Sequence, residues 1–256
     1  MLTFIGLGLW DEKDITLKGL EEARKCDKIY AEFYTSKMGV GIDKIEELIG
    51  KKIEVLSREE VEDGEILLRE AERQHICFLT AGDPMAATTH VGLRIRAIER
   101  GIKTRIIHGV SIVSAAASLL GLQIYKFGRV VSIARPYKDY FPLSPYEAIN
   151  ENAKMGLHSL LLLDTTPTPM TANEAMEILL EMEKRIGDGL INNDKLIAVV
   201  ARVSSEDALA RAGYIKDLIR EKFGDPPHSI IIPGNMHVVE AQALVKIAGA
   251  PEEIIP

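Results

Sequence analysis

Short apolar runs alternate with amphipathic helix patterns through the first half of the chain, and this alternation narrows the fold more than any other feature. Residues 2–7, 29–34, 53–56, 76–79 and 104–107 read as strands. Helix spacing occupies residues 14–26 and recurs at Ile42, Ile45, Leu48 and Ile49, where Gly50 ends it. Ser57 and Glu60 have the spacing of a capping box, so another helix starts there. Residues 84–100 read as a long helix closed by Gly101, and residues 111–120 as a helix of small residues closed by Gly121. Strands alternating with helices build a mainly parallel sheet covered on both faces. In the second half, the strands at 130–134, 159–163, 196–201, 208–212 and 229–232 lie closer together, which predicts a mixed sheet. Helices are expected from capping boxes at Ser144–Glu147, with Pro145 in the first turn, and at Thr171–Glu174, running to about residue 185, and again over 215–222 and 237–248. The expected fold class is α/β: two α/β domains, residues 1–125 and 126–256, with a cofactor cleft between them. The boundary is placed in the polar, glycine-containing stretch at 125–129.

Composition excludes several function classes. The 256 residues are 46% hydrophobic, enough for two modest cores. The net charge of −7 argues against general nucleic-acid binding, which needs a basic face. No apolar run is long enough to cross a bilayer, and residues 1–10 lack the basic leader of a signal peptide, so a cytoplasmic protein is expected. The two cysteines, Cys26 and Cys77, lie in a helix end and an apolar strand and read as buried thiols; no metal-ligand spacing is present.

Two glycine turns follow strands. One is Gly6-Leu7-Gly8. The other is Thr80-Ala81-Gly82-Asp83-Pro84, which presents the Asp83 carboxylate at a strand's carboxyl end, where ligands of open α/β sheets bind. Taken by itself, Asp83 also suits the role of cap to the following helix. The first turn is not a dinucleotide fingerprint, because position 11 is Asp11 where a third glycine is required. No phosphate loop ending in Gly-Lys-Ser/Thr and no Gly-x-Ser-x-Gly elbow occurs. Thr88, Thr89 and His90 read as locally bonded on the first turns of a helix, and His108 as a strand-end residue of structural type. By residues alone the chain is a two-domain α/β enzyme with a cleft, its chemistry open.

The chain resembles the diphthine synthases of archaea and eukaryotes, within the tetrapyrrole-methylase-like, class III methyltransferases. The likeness runs end to end. It is carried by Phe4-Ile5-Gly6-Leu7-Gly8-Leu9 with Asp14-Ile15-Thr16, by Ala31-Glu32-Phe33-Tyr34-Thr35-Ser36, by Gly82-Asp83-Pro84 with Ala87-Thr88-Thr89-His90, and by Ile107-His108 with Ser111-Ile112. Further on it rests on Thr171-Ala172-Asn173-Glu174-Ala175-Met176, Arg211-Ala212-Gly213-Tyr214 and Phe223-Gly224-Asp225-Pro226-Pro227-His228. The resemblance implies S-adenosyl-L-methionine as cofactor, S-adenosyl-L-homocysteine as product, and a homodimer. As acceptor it implies the aminocarboxypropyl-modified histidine of translation elongation factor two, whose amine receives three methyl groups in diphthamide biosynthesis. It also implies cofactor contacts at Leu9, Asp83, Ala86, Ser111, Ile112, Leu163, Val203 and His228. No general base is implied. An aromatic among Tyr30, Phe33, Tyr34, Tyr137, Tyr140 and Phe141 would suit the quaternary product, and Arg135 or Lys138 the acceptor's carboxylate. A tetrapyrrole C-methyltransferase and a non-catalytic module that binds the same cofactor are the alternatives.

Overall fold

A computed structural model describes residues 1–255, which divide into two compact units, residues 1–112 and 113–255. The division falls at the start of a helix, thirteen residues before the expected boundary. After that helix, Gln123 N donates to the Glu240 carboxylate (2.9 Å), a residue of the second unit.

The first unit runs β1 (Leu2–Gly6), α1 (Leu17–Lys25), β2 (Lys28–Glu32), α2 (Ile42–Ile49), β3 (Ile53–Val55), α3 (Arg58–Asp63), α4 (Glu65–Ala71), β4 (Ile76–Thr80), α5 (His90–Glu99) and β5 (Thr104–Ile107). Its sheet is wholly parallel, in the order β3-β2-β4-β1-β5. Alternation along each strand sorts the core onto two faces. Leu2 and Phe4 of β1, Tyr30 of β2, and Ile76 and Phe78 of β4 join one buried cluster, with Leu67 and Leu68 of α4 and Leu93 of α5. Ile5, Ile29, Ala31, Cys77 and Leu79 point the other way and join Ala23 of α1 and Ile45 and Ile49 of α2. A one-residue slip of β4 would exchange these sets, so burial fixes the register. Local signals agree with this packing. Ser57 Oγ accepts from Glu60 N while Ser57 N donates to the Glu60 carboxylate, completing the expected capping box. Cys26 and Cys77 are free and buried.

The second unit contains α6 (Ile112–Leu120), β6 (Val131–Ile133), α7 (Ser144–Lys154), β7 (Ser159–Leu163), α8 (Ala172–Ile186), β8 (Leu196–Ala201), β9 (Leu209–Tyr214), α9 (Ile215–Leu218), β10 (His228–Ile232) and α10 (Val238–Ala248). Its sheet is mixed, in the order β6-β7-β10-β8-β9: β6 and β7 are parallel and the other pairs antiparallel. Ala175, Ile178, Leu179 and Met182 of α8 form its main core with Leu161, Val199 and Ile230.

Three helix expectations are corrected. Residues 84–89 are a turn, and α5 starts only at His90. Ala86 N closes a turn onto Asp83 O (3.2 Å) and Ala87 takes φ +57°, which no α-helix accommodates. Ser144 is itself helical and caps nothing; Leu143 is the flanking residue, with Pro145 in the first turn. The helix expected over 215–222 stops at Leu218, because Asn173 Nδ2 donates to the carbonyls of Ile219 (2.8 Å) and Glu221 (3.0 Å). Among the described residues no helix is long and apolar enough to cross a membrane.

Candidate functional site

In the first unit, the loops leaving β4, β1 and β5 sit side by side because those strands are neighbours in one parallel sheet. The pairing of Gly6 with Thr80 continues past the strand ends. Leu7 N donates to Thr80 O (2.8 Å), Gly8 N to Gly82 O (3.3 Å) and Gly82 N to Gly8 O (2.6 Å). The two glycine turns are therefore joined main chain to main chain. A third glycine, Gly109 after β5, completes the junction. A Cβ on Gly6 would lie 2.7 Å from Gly109 Cα and closer still to Gly82 O and Gly109 N, so no side chain fits there. In the sequence Gly109 stands only as the residue after His108 at a strand end, since a lone glycine after a strand resembles any turn.

Asp83 sits on this junction, although it caps no helix. One carboxylate oxygen accepts from Met85 N (2.9 Å) and the other from His108 Nδ1 (2.7 Å). The carboxylate thus ties the loop of β4 to the exit of β5. Leu9 N (3.2 Å) and Trp10 N (2.8 Å) donate to the Asp14 carboxylate, fixing the loop of β1. Ser111 and Ile112 follow Gly109 directly and lead into α6. Leu9, Asp83, Ala86, Ser111 and Ile112 are thus all carried on three adjacent strand exits at one sheet edge, the edge that binds ligands in open α/β folds.

Behind the junction lies a pair that the sequence reading left unremarked. Glu32, at the end of β2, and His90, at the start of α5, are both fully buried, with 3.7 Å between Oε1 and Nε2. Burial raises the Glu32 pKa, although Glu32 accepts from the main chain of Tyr34 and Thr35 (3.0 Å each) and from the Thr35 hydroxyl. Burial lowers the pKa of His90, whose Nδ1 donates to Pro84 O (3.0 Å). His90 also meets the Phe78 ring edge-on, 5.1 Å between centres. The pair holds the turn after Asp83 and the loop after β2 from below. A carboxylate closing an otherwise apolar strand was the signal available in the sequence.

In the second unit the expected contacts also share one edge. Ile133 pairs with Leu163, Ser229 with Leu162, and His228 with Ala201. Leu163 and His228 therefore stand in adjacent strands, with Val203 two residues beyond the end of β8. Val203 lies between Arg202 (φ +47°) and Ser204 (φ +81°). The Arg202 guanidinium holds that turn through Asp207 Oδ2 (2.7 Å) and the carbonyls of Phe223 (2.6 Å) and Asp225 (3.0 Å). His228 Nδ1 accepts from Ala172 N (3.1 Å), which places the ring proton on Nε2. Nε2 is buried and has no hydrogen-bond partner. Burial, and next the nearby Arg202, lowers the pKa of His228, so the ring is neutral at pH 7.

Arg135 does not serve as the free cation expected of it. Its Nε and Nη2 bind the Glu174 carboxylate (2.5 and 2.8 Å), and Nη1 donates to the carbonyls of Thr166 (3.0 Å) and Thr168 (2.7 Å). Glu174 is thereby drawn to Arg135, while Thr171 Oγ1 still accepts from Glu174 N (3.2 Å) to cap α8.

Residues 1–219 match the model of the tetrapyrrole (corrin/porphyrin) methylases. The chain belongs to this methyltransferase family. Relatives that match over nearly the whole length include diphthine synthases. That of Methanosarcina barkeri is 49% identical over 98% of this chain and 97% of its own. That of Methanocaldococcus jannaschii is 52% identical over 95% and 97%. A crystal structure of a diphthine synthase superposes with a TM-score of 0.92 at 36% identity, covering 100% of this chain and 99% of that one.

Proposed function

We propose that this chain transfers three methyl groups from S-adenosyl-L-methionine to the amino group of the aminocarboxypropyl-modified histidine of translation elongation factor two. That it is a methyltransferase of the diphthine synthase group follows from its family. Relatives matched from end to end favour this acceptor over a tetrapyrrole. The observation that carries the reading is the glycine junction, which holds three strand exits as one rigid edge bearing Leu9, Asp83, Ala86, Ser111 and Ile112.

The residues fit the cofactor. The edge of the first unit offers main-chain groups and a fixed carboxylate for polar parts of a nucleoside and its amino-acid tail. In the second unit, His228 lies on the strand beside that of Leu163, and its buried Nε2–H, near the main chain of Gly224 and Asp225, lacks a well-aligned acceptor. A ligand acceptor at Nε2 would supply the well-aligned hydrogen bond that the buried donor lacks. When bound, the sulfonium supplies an electrophilic methyl group. The protein's part is to present a neutral amine in line with it, and such positioning contributes roughly 7–11 kcal/mol of the barrier. No side chain is assigned as general base; the proton released at each step goes to water.

The same family membership supports a homodimer, which sedimentation checks, and a cytoplasmic location alongside the acceptor. Asp83→Ala tests the cofactor site. Calorimetry should show S-adenosyl-L-homocysteine bound at least about tenfold more weakly, roughly 1.4 kcal/mol. Because the Asp83 carboxylate makes one hydrogen bond within its own loop and one to the exposed His108, the melting temperature should move by no more than about 2–4 °C. An unchanged affinity would remove Asp83 from the site.

A further inference from the structure

The acceptor group carries a carboxylate and an amine that ends as a quaternary ammonium. Its recognition calls for a cation and an aromatic face within reach of the methyl-transfer site. Most of the candidate aromatics are spoken for. Tyr30 is fully buried. Phe33 and Tyr34 pack against the two cores of the first unit. Phe141 packs on the core of the second, with the Arg185 guanidinium 3.9 Å from its ring centre. Arg135 has its guanidinium engaged on three sides. Tyr137, Lys138 and Tyr140 remain.

They belong to a hairpin, residues 137–140, whose two-residue tip is Lys138 and Asp139. Tyr137 N donates to Tyr140 O and Tyr140 N to Tyr137 O, both at 3.0 Å, and Lys138 takes φ +51° at the tip. Directly paired residues of a hairpin place their side chains on one face, so the two rings project together. Both are about two-thirds exposed, 68% and 67%. Tyrosines so exposed on a fixed tip are of the type that anchors interfaces. The tip is fixed from its base. Arg135 N donates to the Asp164 carboxylate (3.1 Å), and the Arg135 side chain clamps Glu174 and the loop after β7. Lys138 Nζ stands 5.0 Å from the centre of the Tyr137 ring, while among the described residues no cation stands over Tyr140. The hairpin leaves β6 four residues beyond Ile133, which pairs with the proposed cofactor contact Leu163.

We propose that the Tyr137–Tyr140 hairpin is the acceptor-reading element of the enzyme. Lys138 binds the carboxylate of the aminocarboxypropyl group, and the face of Tyr140 receives its amine as methyl groups accumulate. This inference rests on the proposed function. The quaternary product has lost every N–H, so an aromatic face can hold it where a hydrogen-bond acceptor cannot.

The test uses the full chain, S-adenosyl-L-methionine and purified elongation factor two carrying the aminocarboxypropyl histidine. Tyr140→Leu and Lys138→Met should each raise KM for the acceptor about two- to fivefold, in line with an exposed cation–aromatic or charge contact. Neither should change the affinity for S-adenosyl-L-homocysteine or the melting temperature. Tyr140→Phe should keep the wild-type KM, since the face and not the hydroxyl is used. Tyr140→Leu should also stall at partly methylated product. Wild-type turnover together with an unchanged acceptor KM in both Tyr140→Leu and Lys138→Met would overturn this inference alone. A wild-type protein that fails to methylate the acceptor would overturn the proposed function, and this inference with it.

Discussion

Glu240→Ala should destabilise the second unit by about 3–5 kcal/mol, the cost of stripping a buried ion network of its central charge. Glu240 opens α10 and is fully buried. Its carboxylate accepts from Lys126 Nζ (2.6 Å), His158 Nε2 (3.0 Å), Gln123 N (2.9 Å) and His237 N (2.8 Å). His158 Nδ1 accepts from Gly234 N (2.8 Å), so the ring is neutral and donates through Nε2. Burial alone would raise the Glu240 pKa. Lys126, the two main-chain donors and His158 more than offset it, and the pKa falls from 4.5 to about 2. The sign follows from that depression. The stabilisation is fully present above pH 4.5 and is lost as pH falls from about 4.5 towards 2. Denaturant melts across that window should show wild type losing stability faster than Glu240→Gln, which has no charge there to lose. Parallel curves would mean that the carboxylate is not ionised in the folded protein.

Gly6→Ala should remove function more than stability. The added methyl would meet backbone on three sides, Gly82 O, Gly109 N and Gly109 Cα. Backbone does not rotate away as a side chain can, so the loops of β1, β4 and β5 must separate. The stability cost is about 1–3 kcal/mol for overpacking. The catalytic cost is of similar size in free energy, but it falls entirely on turnover while the protein stays folded. A displacement on the order of 1 Å in the positioning edge lowers turnover about 100-fold. Gly50→Ala is the matching control. Gly50, unlike Gly6, takes a left-handed φ of +79°, but it has no neighbour within 4 Å of an added Cβ, and it ends α2. It should show a strain cost of roughly 1–2 kcal/mol with turnover unchanged. Equal loss of turnover in the two variants, measured at a temperature where both are folded, would show that the glycine junction has no special role.

The strands were legible because apolar runs in a sheet buried on both faces leave no alternative. Ile76–Thr80 and Leu2–Gly6 are buried at every position. Helix ends marked by Ser57 and Gly50 were equally plain, since capping is local chemistry. Errors came where a tertiary contact overrode a local signal. Asn173 takes the carbonyls of Ile219 and Glu221 and shortens α9 from a distance in sequence that no local pattern reports. Proline at position 84 suggested a helix start, but the Asp83 turn and the left-handed Ala87 delay the helix to His90. Glu22 sits in a run of charged residues, a pattern usual on solvated helix faces. It is nevertheless buried, paired with Arg105 (2.7 Å) across the sheet edge.

The candidate site was legible in part for a similar reason. Asp83 declares itself by standing after an apolar strand and a glycine. Gly109 and the Glu32–His90 pair acquire meaning only once parallel pairing brings their strands together. Arg135 illustrates the reverse case. Its charge made it a candidate for the acceptor's carboxylate, and the Glu174 carboxylate on α8 claimed it first.

The most direct measurement is the mass of the modified histidine peptide of elongation factor two, after incubation with this protein and S-adenosyl-L-methionine. Three added methyl groups on the aminocarboxypropyl amine, absent without the donor, are predicted. An acceptor that gains no methyl group from folded, donor-binding protein would contradict the account.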